Sequence, residues 1–245
     1  MKKNAQLLLL AFCLVAFTQC TSDTNNTPNP TEGLAETVTD ADGNVYNTVT
    51  IGDQIWMLEN LKTTSYNDGT PITMYSFDAH GNNWLNFNQP EAFYQWADTN
   101  DLNNVHEDEL PFDYYGAMYN HLAIESGKLA PEGWRIPTVQ DFIELQNYII
   151  SNGNAGNEAD ALKSDSGWIT SSGNGTDLYG FRGLPNGYVN TLGGPTAAEL
   201  ISTWATTDVD LDVQTRTMVS LFDEDAILFL DNSIKIGAAV RCIKE

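Results

Sequence analysis

The chain has 245 residues, of which 33 are acidic and 11 are basic, so its formal net charge at pH 7 is −22. Such a charge repels nucleic acids and anionic lipid head groups, which argues against nucleic-acid binding and against electrostatic attachment to a membrane surface. With 42% hydrophobic and 11% aromatic residues, the composition is typical of a globular protein and not of a disordered one.

The first twenty residues are typical of a bacterial lipoprotein signal peptide. Two lysines precede an apolar segment at residues 7–17 that is too short to span a bilayer, and Cys20 starts the polar run that follows. A cysteine at this place can accept a diacylglyceryl group before cleavage. We therefore predict a signal peptide at residues 1–19, lipidation of Cys20 and an outer-membrane lipoprotein of the cell envelope. The alternative is an ordinary secretory signal with an incidental cysteine, because Gln19 departs from the usual small-residue pattern.

The segment after the signal peptide predicts a tether followed by one domain. Residues 20–35 are rich in Thr, Asn and Pro and predict a flexible linker. Residues 36–245 are long enough for one folded domain. Cys13 leaves with the signal peptide and Cys20 is used for lipid, so Cys242 is the one thiol of the domain and an intramolecular disulfide is excluded.

The first part of the domain predicts strands and then loops. Asp42-Gly43 is a hairpin turn signal between strands at residues 36–39 and 45–51, and a third strand follows at 54–58. Residues 59–114 contain many aromatic residues among Asn, Asp and Gly without a sustained period. We expect mostly loop with short strands there.

Two main helices and a shorter one are predicted next. Apolar residues recur at steps of three and four over residues 115–126, which favours a helix. Thr138 is a suitable N-cap for a second helix that ends near residues 151–153, and a short helix is expected at 158–164.

The C-terminal part predicts further strands joined by acidic turns. We expect strands at 202–206, 215–222, 226–230 and 238–243, with turns at 223–225 and 231–233. The order of strands, helices and strands favours an α+β fold: a single domain with two main helices, mixed or antiparallel strands and long loops.

Several motifs resemble those of a known bacterial family. They are Asp42-Gly43-Asn44-Val45-Tyr46, Ile51-Gly52-Asp53-Gln54-Ile55-Trp56-Met57-Leu58-Glu59-Asn60-Leu61-Lys62-Thr63-Thr64, Tyr66-Asn67-Asp68-Gly69-Thr70-Pro71-Ile72, Gly116-Ala117-Met118-Tyr119-Asn120, Pro131-Glu132-Gly133-Trp134-Arg135-Ile136-Pro137-Thr138 and Val240-Arg241-Cys242. In this order they resemble the Fibrobacter succinogenes major paralogous domain. The resemblance implies a secreted or lipid-anchored surface module with a fold similar to C-type lectins and formylglycine-generating enzymes, and it implies no particular ligand.

One position departs from the family pattern. The family usually has a cysteine where this chain has Ala130. If that cysteine pairs in the family with the one matched by Cys242, the bridge is absent from this protein.

Three acidic residues suggest a cation site. Asp208, Asp210 and Asp212 alternate with apolar residues, so a strand would place the three carboxylates on one face. Calcium prefers such oxygen ligands, although the segment lacks the glycine and closing glutamate of an EF-hand. The alternative is a solvated acidic strand edge, and no other cofactor is predicted.

An aromatic, Asn-rich stretch suggests a ligand-binding surface. We single out Trp84, Phe93, Tyr94 and Trp96 as a platform, since rings stack on the apolar faces of sugars and also form hot spots for proteins. The alternative is that these rings fill the core beneath long loops.

The histidine and serine residues show no pattern that indicates an enzyme. The three histidines show no zinc-ligand spacing, and no serine lies in a Gly-x-Ser-x-Gly motif. We expect a non-catalytic module that is held to the membrane by its N-terminal lipid and binds extracellular glycan or protein. The alternatives are a polysaccharide-acting enzyme with paired carboxylates and a purely structural envelope protein.

Overall fold

The computed structural model describes residues 36–169, 173–222 and 225–245. Within these ranges the protein consists mostly of β-structure, with fourteen strands in three sheets and four α-helices. A single helix in these ranges exceeds two turns, so the prediction of an α+β fold with two main helices is wrong. None of the helices described has the length and apolar character needed to span a bilayer.

The first sheet joins the N-terminal hairpin to the end of the chain. Its five strands run in the order β1-β2-β3-β14-β7, and all neighbouring pairs are antiparallel. The strands are β1 (Thr37–Thr39), β2 (Val45–Ile51), β3 (Gln54–Met57), β7 (Trp134–Arg135) and β14 (Ile243–Lys244). The predicted hairpin around Asp42-Gly43 is confirmed.

The second sheet is mixed and has seven strands in the order β12-β11-β10-β13-β6-β5-β4. The pairs β10–β13 and β4–β5 are parallel and the others are antiparallel. The strands are β4 (Thr73–Met74), β5 (Phe93–Trp96), β6 (Ala117–Tyr119), β10 (Ser202–Asp210), β11 (Thr215–Leu221), β12 (Leu228–Ser233) and β13 (Ala238–Ala239). A small third sheet pairs β8 (Tyr188–Val189) with β9 (Pro195–Thr196).

The predictions of one turn and one strand need correction. The turn expected at 231–233 lies within β12, because these residues pair with Thr215–Thr217 of β11. The strand expected at 238–243 is divided into β13 and β14, which belong to different sheets. The residues between them therefore carry the chain from one sheet to the other.

The helices are α1 (Phe77–His80), α2 (His121–Ile124), α3 (Val139–Ile149) and α4 (Glu158–Leu162). The predicted N-cap is confirmed: Thr138 Oγ1 accepts a hydrogen bond from Asp141 N, and Asp141 Oδ2 accepts one from Thr138 N at 2.7 Å. The helix predicted at 115–126 is wrong, since β6 occupies its first half. All three residues of β6 are buried, so one strand followed by one helical turn produces a spacing of apolar residues that resembles a longer helix.

Neighbouring residues on the strands pack into two different apolar clusters. Trp56 and Trp204 belong to one cluster, whereas the adjacent Met57 and Ala205 belong to the other. Because successive side chains of a strand point to opposite faces, both faces are covered at these positions. Cys242 is a free thiol and is buried.

A buried arginine ties this core together. The Arg241 guanidinium lies 4.5 Å from the ring centroid of Phe181 and 5.1 Å from that of Trp204. Its Nε and Nη2 donate to Asn60 Oδ1 at 3.1 and 3.0 Å, and Trp204 Nε1 donates to the same oxygen at 2.7 Å. Burial lowers the pKa of Arg241 to about 9, so the group remains a cation at neutral pH.

We expect Asn60→Ala to lower the free energy of unfolding by about 2–4 kcal/mol, because it leaves the buried donors of Arg241 and Trp204 without their shared acceptor. Urea unfolding followed by circular dichroism measures this change. Asn88→Ala is the matched control, since Asn88 is exposed, and it should stay within about 0.5 kcal/mol of the wild type. Equal stability of the two variants would contradict the assignment.

Candidate functional site

A surface groove of about 520 Å³ lies between residues 75–82 and the loop 190–195. We call it the Phe77 groove. Its lining residues are Tyr75, Ser76, Phe77, Asn82, Gln95, Asn190, Leu192, Gly193, Gly194 and Pro195. None of these is charged, although four other grooves on the described surface each contain at least two charged residues. In a chain of net charge −22, this groove is therefore electrostatically distinct.

Each wall of the groove presents an exposed apolar side chain. Phe77 opens the single-turn helix α1, which Ser76 caps by accepting a hydrogen bond from Ala79 N. Its ring is 62% exposed, and Leu192 on the opposite wall is 64% exposed. Large apolar side chains held this far into solvent on both sides of a concavity indicate a binding surface.

Tyr75 joins the two walls beneath the groove. Its hydroxyl donates to Gly81 O at 2.6 Å and lies 3.3 Å from Leu192 O. Burial raises the pKa of Tyr75, which keeps this donor protonated. Gly193 adopts a φ of +88°, and a Cβ atom there would lie 2.4 Å from the Tyr75 hydroxyl oxygen. The close approach of the loop therefore requires glycine.

Amide groups provide the polar part of the lining. Gln95 Nε2 donates to Gly193 O at 3.0 Å, and Asn190 Oδ1 accepts from the backbone N–H groups of Leu192 and Gly194 at 2.9 and 3.2 Å. These bonds orient both side chains and leave Asn190 Nδ2 without a partner among the described residues. Asn82 adds another amide. The groove thus combines an aromatic ring, an aliphatic wall and neutral hydrogen-bonding groups.

The aromatic residues singled out from the sequence do not form a platform. Trp84, Phe93 and Tyr94 are buried, and Trp96 is half-buried against the exposed Phe112 with ring centroids 5.0 Å apart. Phe93 and Tyr94 pack into different apolar clusters, because both faces of β5 are covered. Within the ranges described, Trp84 Nε1 is buried without a hydrogen-bond partner.

Of the three aspartates expected to bind calcium, Asp208 and Asp210 line one surface groove together with Asp231, and Asp212 does not line it. Asp208 Oδ2 accepts from Val139 N at 2.7 Å, at the start of α3. Asp210 ends β10, and its Oδ1 accepts from Asp212 N at 2.9 Å in the following turn. A change of register between Ala205 and Val209 interrupts the regular alternation. Among the described residues, no group of three or more His, Cys, Asp or Glu side chains is placed to hold a metal ion.

Phe77 and Leu192 were not among the ligand-binding residues predicted from the sequence. A serine before Phe77 and a glycine at position 81 do indicate a capped turn, but nothing local shows that this ring is exposed while Phe93 is buried. The predicted lipidation residue, Cys20, lies outside the described residues.

We expect Gly193→Ala to destabilise the protein more than Gly69→Ala. Both glycines have a positive φ, but a Cβ at Gly69 would meet no atom within 4 Å. Gly69→Ala should therefore lower the free energy of unfolding by about 1 kcal/mol from backbone strain alone, and Gly193→Ala by about 1–3 kcal/mol more from steric overlap with Tyr75. Parallel urea titrations measure the difference, and a difference near zero would contradict the close approach.

Comparison with known proteins identifies a family. No curated protein and no solved structure shows significant similarity to the chain. The family model described as the Fibrobacter succinogenes major domain matches residues 49–244. This range contains the Phe77 groove, the buried Arg241 and nearly all of the described strands. The chain therefore belongs to the Fibrobacter succinogenes major domain family.

Proposed function

We propose that the protein is a non-catalytic binding module of the bacterial cell envelope, anchored by lipid at Cys20, and that its Phe77 groove binds a neutral glycan. The observation that carries this proposal is the absence of charge from the lining of the groove in a chain of net charge −22. A neutral ligand can enter such a groove without electrostatic repulsion and without leaving a buried charge unpaired.

The exposed groups match the two kinds of surface that a sugar presents. The C–H face of a pyranose ring can stack on the Phe77 ring, and Leu192 extends the apolar contact on the opposite wall. The hydroxyl groups of a sugar can bond to the amides of Asn82 and Asn190. Because Tyr75 and Gln95 fix the loop that carries Leu192, little ordering is needed on binding, which favours affinity.

A protein segment is a second candidate ligand. Strand β4 is the edge of the seven-stranded sheet and leads directly into the groove. Its Met74 side chain is exposed, so an extended peptide could pair with this edge and place a side chain between Phe77 and Leu192. The glycan remains the preferred ligand because β4 has only two residues and offers few main-chain hydrogen bonds.

The alternative of a polysaccharide-acting enzyme requires two carboxyl groups close to the scissile bond. No carboxyl group lines the Phe77 groove, which supports binding without catalysis. A purely structural envelope role predicts that Phe77 and Leu192 have no ligand, and the binding experiment below tests that alternative as well.

We expect Phe77→Ala to weaken binding of a neutral glycan by about tenfold, since truncating a stacking ring at a contact centre typically removes more than about 1 kcal/mol. A panel of neutral glycans is presented to the mature protein, and the affinity of any glycan that binds is measured by calorimetry. Phe87→Ala is the matched control, because Phe87 is 49% exposed and lies outside the groove. Equal losses in both variants, or no binding across the panel, would contradict the proposal.

We expect the wild-type chain to incorporate labelled palmitate in growing bacterial cells and Cys20→Ala to incorporate none. Cys20 is the residue that the lipoprotein processing pattern marks for acylation. Fractionation should place the wild type with the outer membrane and release the variant into the soluble fraction. Cys242→Ala serves as the control for labelling of a different thiol, and an unlabelled wild type would refute the anchor.

A further inference from the structure

The four arginines of the chain differ in how their charge is balanced. Arg135 pairs with Asp141 at 2.6 Å, and Arg216 pairs with Glu125 at 2.5 Å. Within the described ranges, Arg182 and Arg241 have no carboxylate oxygen within 4.0 Å. In a chain with 33 acidic residues, two unpaired arginines are a notable exception to the expected pairing.

Both unpaired arginines lie at the same groove, which has a volume of about 290 Å³. We call it the Arg182 groove; its polar lining includes Glu59, Asn60, Lys62, Asp113 and Arg182. Arg241 lies beneath it, since its guanidinium donates to Asn60 Oδ1 at 3.0 Å and to Arg182 O at 3.3 Å. One positive charge is therefore exposed in the groove and a second is buried below.

The acidic groups of the groove already have partners. Glu59 accepts from Asn47 N and Asn47 Nδ2 at 2.9 and 2.8 Å, while Asp113 accepts from Lys62 Nζ at 2.7 Å. Neither carboxylate forms an ion pair with the Arg182 guanidinium, although Asp177 is a third acidic group that interacts with both arginines. The guanidinium of Arg182 is exposed and makes no side-chain hydrogen bond or ion pair within the described part of the chain.

The backbone at Arg182 is one that glycine would adopt more easily. Arg182 has a φ of +54°, and Asp177 in the same loop has a φ of +45°. Asp177 Oδ1 accepts from Arg182 N at 2.7 Å and fixes this conformation. An arginine held in a left-handed conformation, with no partner for its side chain, is the kind of strained residue that is concentrated at functional sites.

We infer that the Arg182 groove binds the carboxylate of a ligand, with Arg182 as the bidentate partner. The planar guanidinium matches the two oxygens of a carboxylate, and the buried charge of Arg241 offsets part of the negative charge of Glu59 and Asp177. The carboxylate could belong to a sugar acid or to a peptide, since both present the same group.

The test is an NMR titration of the mature protein at physiological ionic strength with three probes: glucuronate, acetylglycine and neutral glucose. We expect the Arg182 Nε–Hε resonance to shift with glucuronate, with acetylglycine or with both, and not with glucose. A response to one acid alone identifies the source of the carboxylate. Arg182→Gly should weaken binding by at least about tenfold. Arg182→Lys should weaken it by less, because this substitution keeps the positive charge but removes the planar group that makes two parallel hydrogen bonds.

The variants are chosen to separate binding from folding and from net charge. Arg182→Gly suits the left-handed backbone and should unfold at or above the wild-type denaturant concentration. Lys235→Gln removes one charge from an exposed lysine that makes no ion pair with the residues described and should bind as the wild type does. An unchanged affinity in Arg182→Gly, equal losses in Arg182→Gly and Lys235→Gln, or an equal response to glucose would overturn the inference. Because Phe77 is not involved, this outcome is independent of the neutral-glycan proposal.

Discussion

The packing of the core depends on the side-chain amide oxygen of Asn60. Asn60 Oδ1 accepts hydrogen bonds from Trp204 Nε1 and from Nε and Nη2 of Arg241, and so joins the segment after β3, the long strand β10 and the link between β13 and β14. That link carries the chain from the seven-stranded sheet to the five-stranded sheet. Without the shared acceptor, the indole N–H of Trp204 and the Nε–H of the buried guanidinium would lose their partner. Asn60 and Arg241 therefore hold the two larger sheets together.

Elements fixed by local interactions could be predicted from the sequence, and elements fixed by distant ones could not. Helix α3 has its cap at Thr138 and its apolar stripe within eleven residues, and the Asp42-Gly43 hairpin closes within a few residues. Strand β6 is different, because it pairs with β5 and β13 along its edges and packs its side chains into both apolar clusters. Full burial removes the alternation that identifies a strand, and the apolar spacing then resembles that of a helix.

The dependence on distant contacts also explains why the Phe77 groove could not be predicted from the sequence. Phe77 and Phe93 have the same side chain, but β5 lies between two strands and buries Phe93, whereas α1 projects Phe77 outward. The wall that faces Phe77 is brought there by the contact of Tyr75 with Leu192, which are 117 positions apart. Distant contacts also divide the three aspartates, since Asp208 bonds to the start of α3 and Asp212 lies in the turn after β10. Residue chemistry indicated which groups could bind, but the pairing of strands decides which groups are exposed.

The two grooves depart from the acidic composition in different ways, and this affects how ligands would reach them. The Phe77 groove lacks charge, so a neutral ligand experiences neither attraction nor repulsion on approach. The Arg182 groove is lined by two acidic and two basic residues, and the net charge of −22 repels an anion at long range. At physiological ionic strength that repulsion is screened beyond about 8 Å, whereas a bidentate contact acts at about 3 Å. Carboxylate recognition in this protein would therefore depend on direct contact and not on electrostatic steering, and its affinity should change little when the salt concentration is raised moderately.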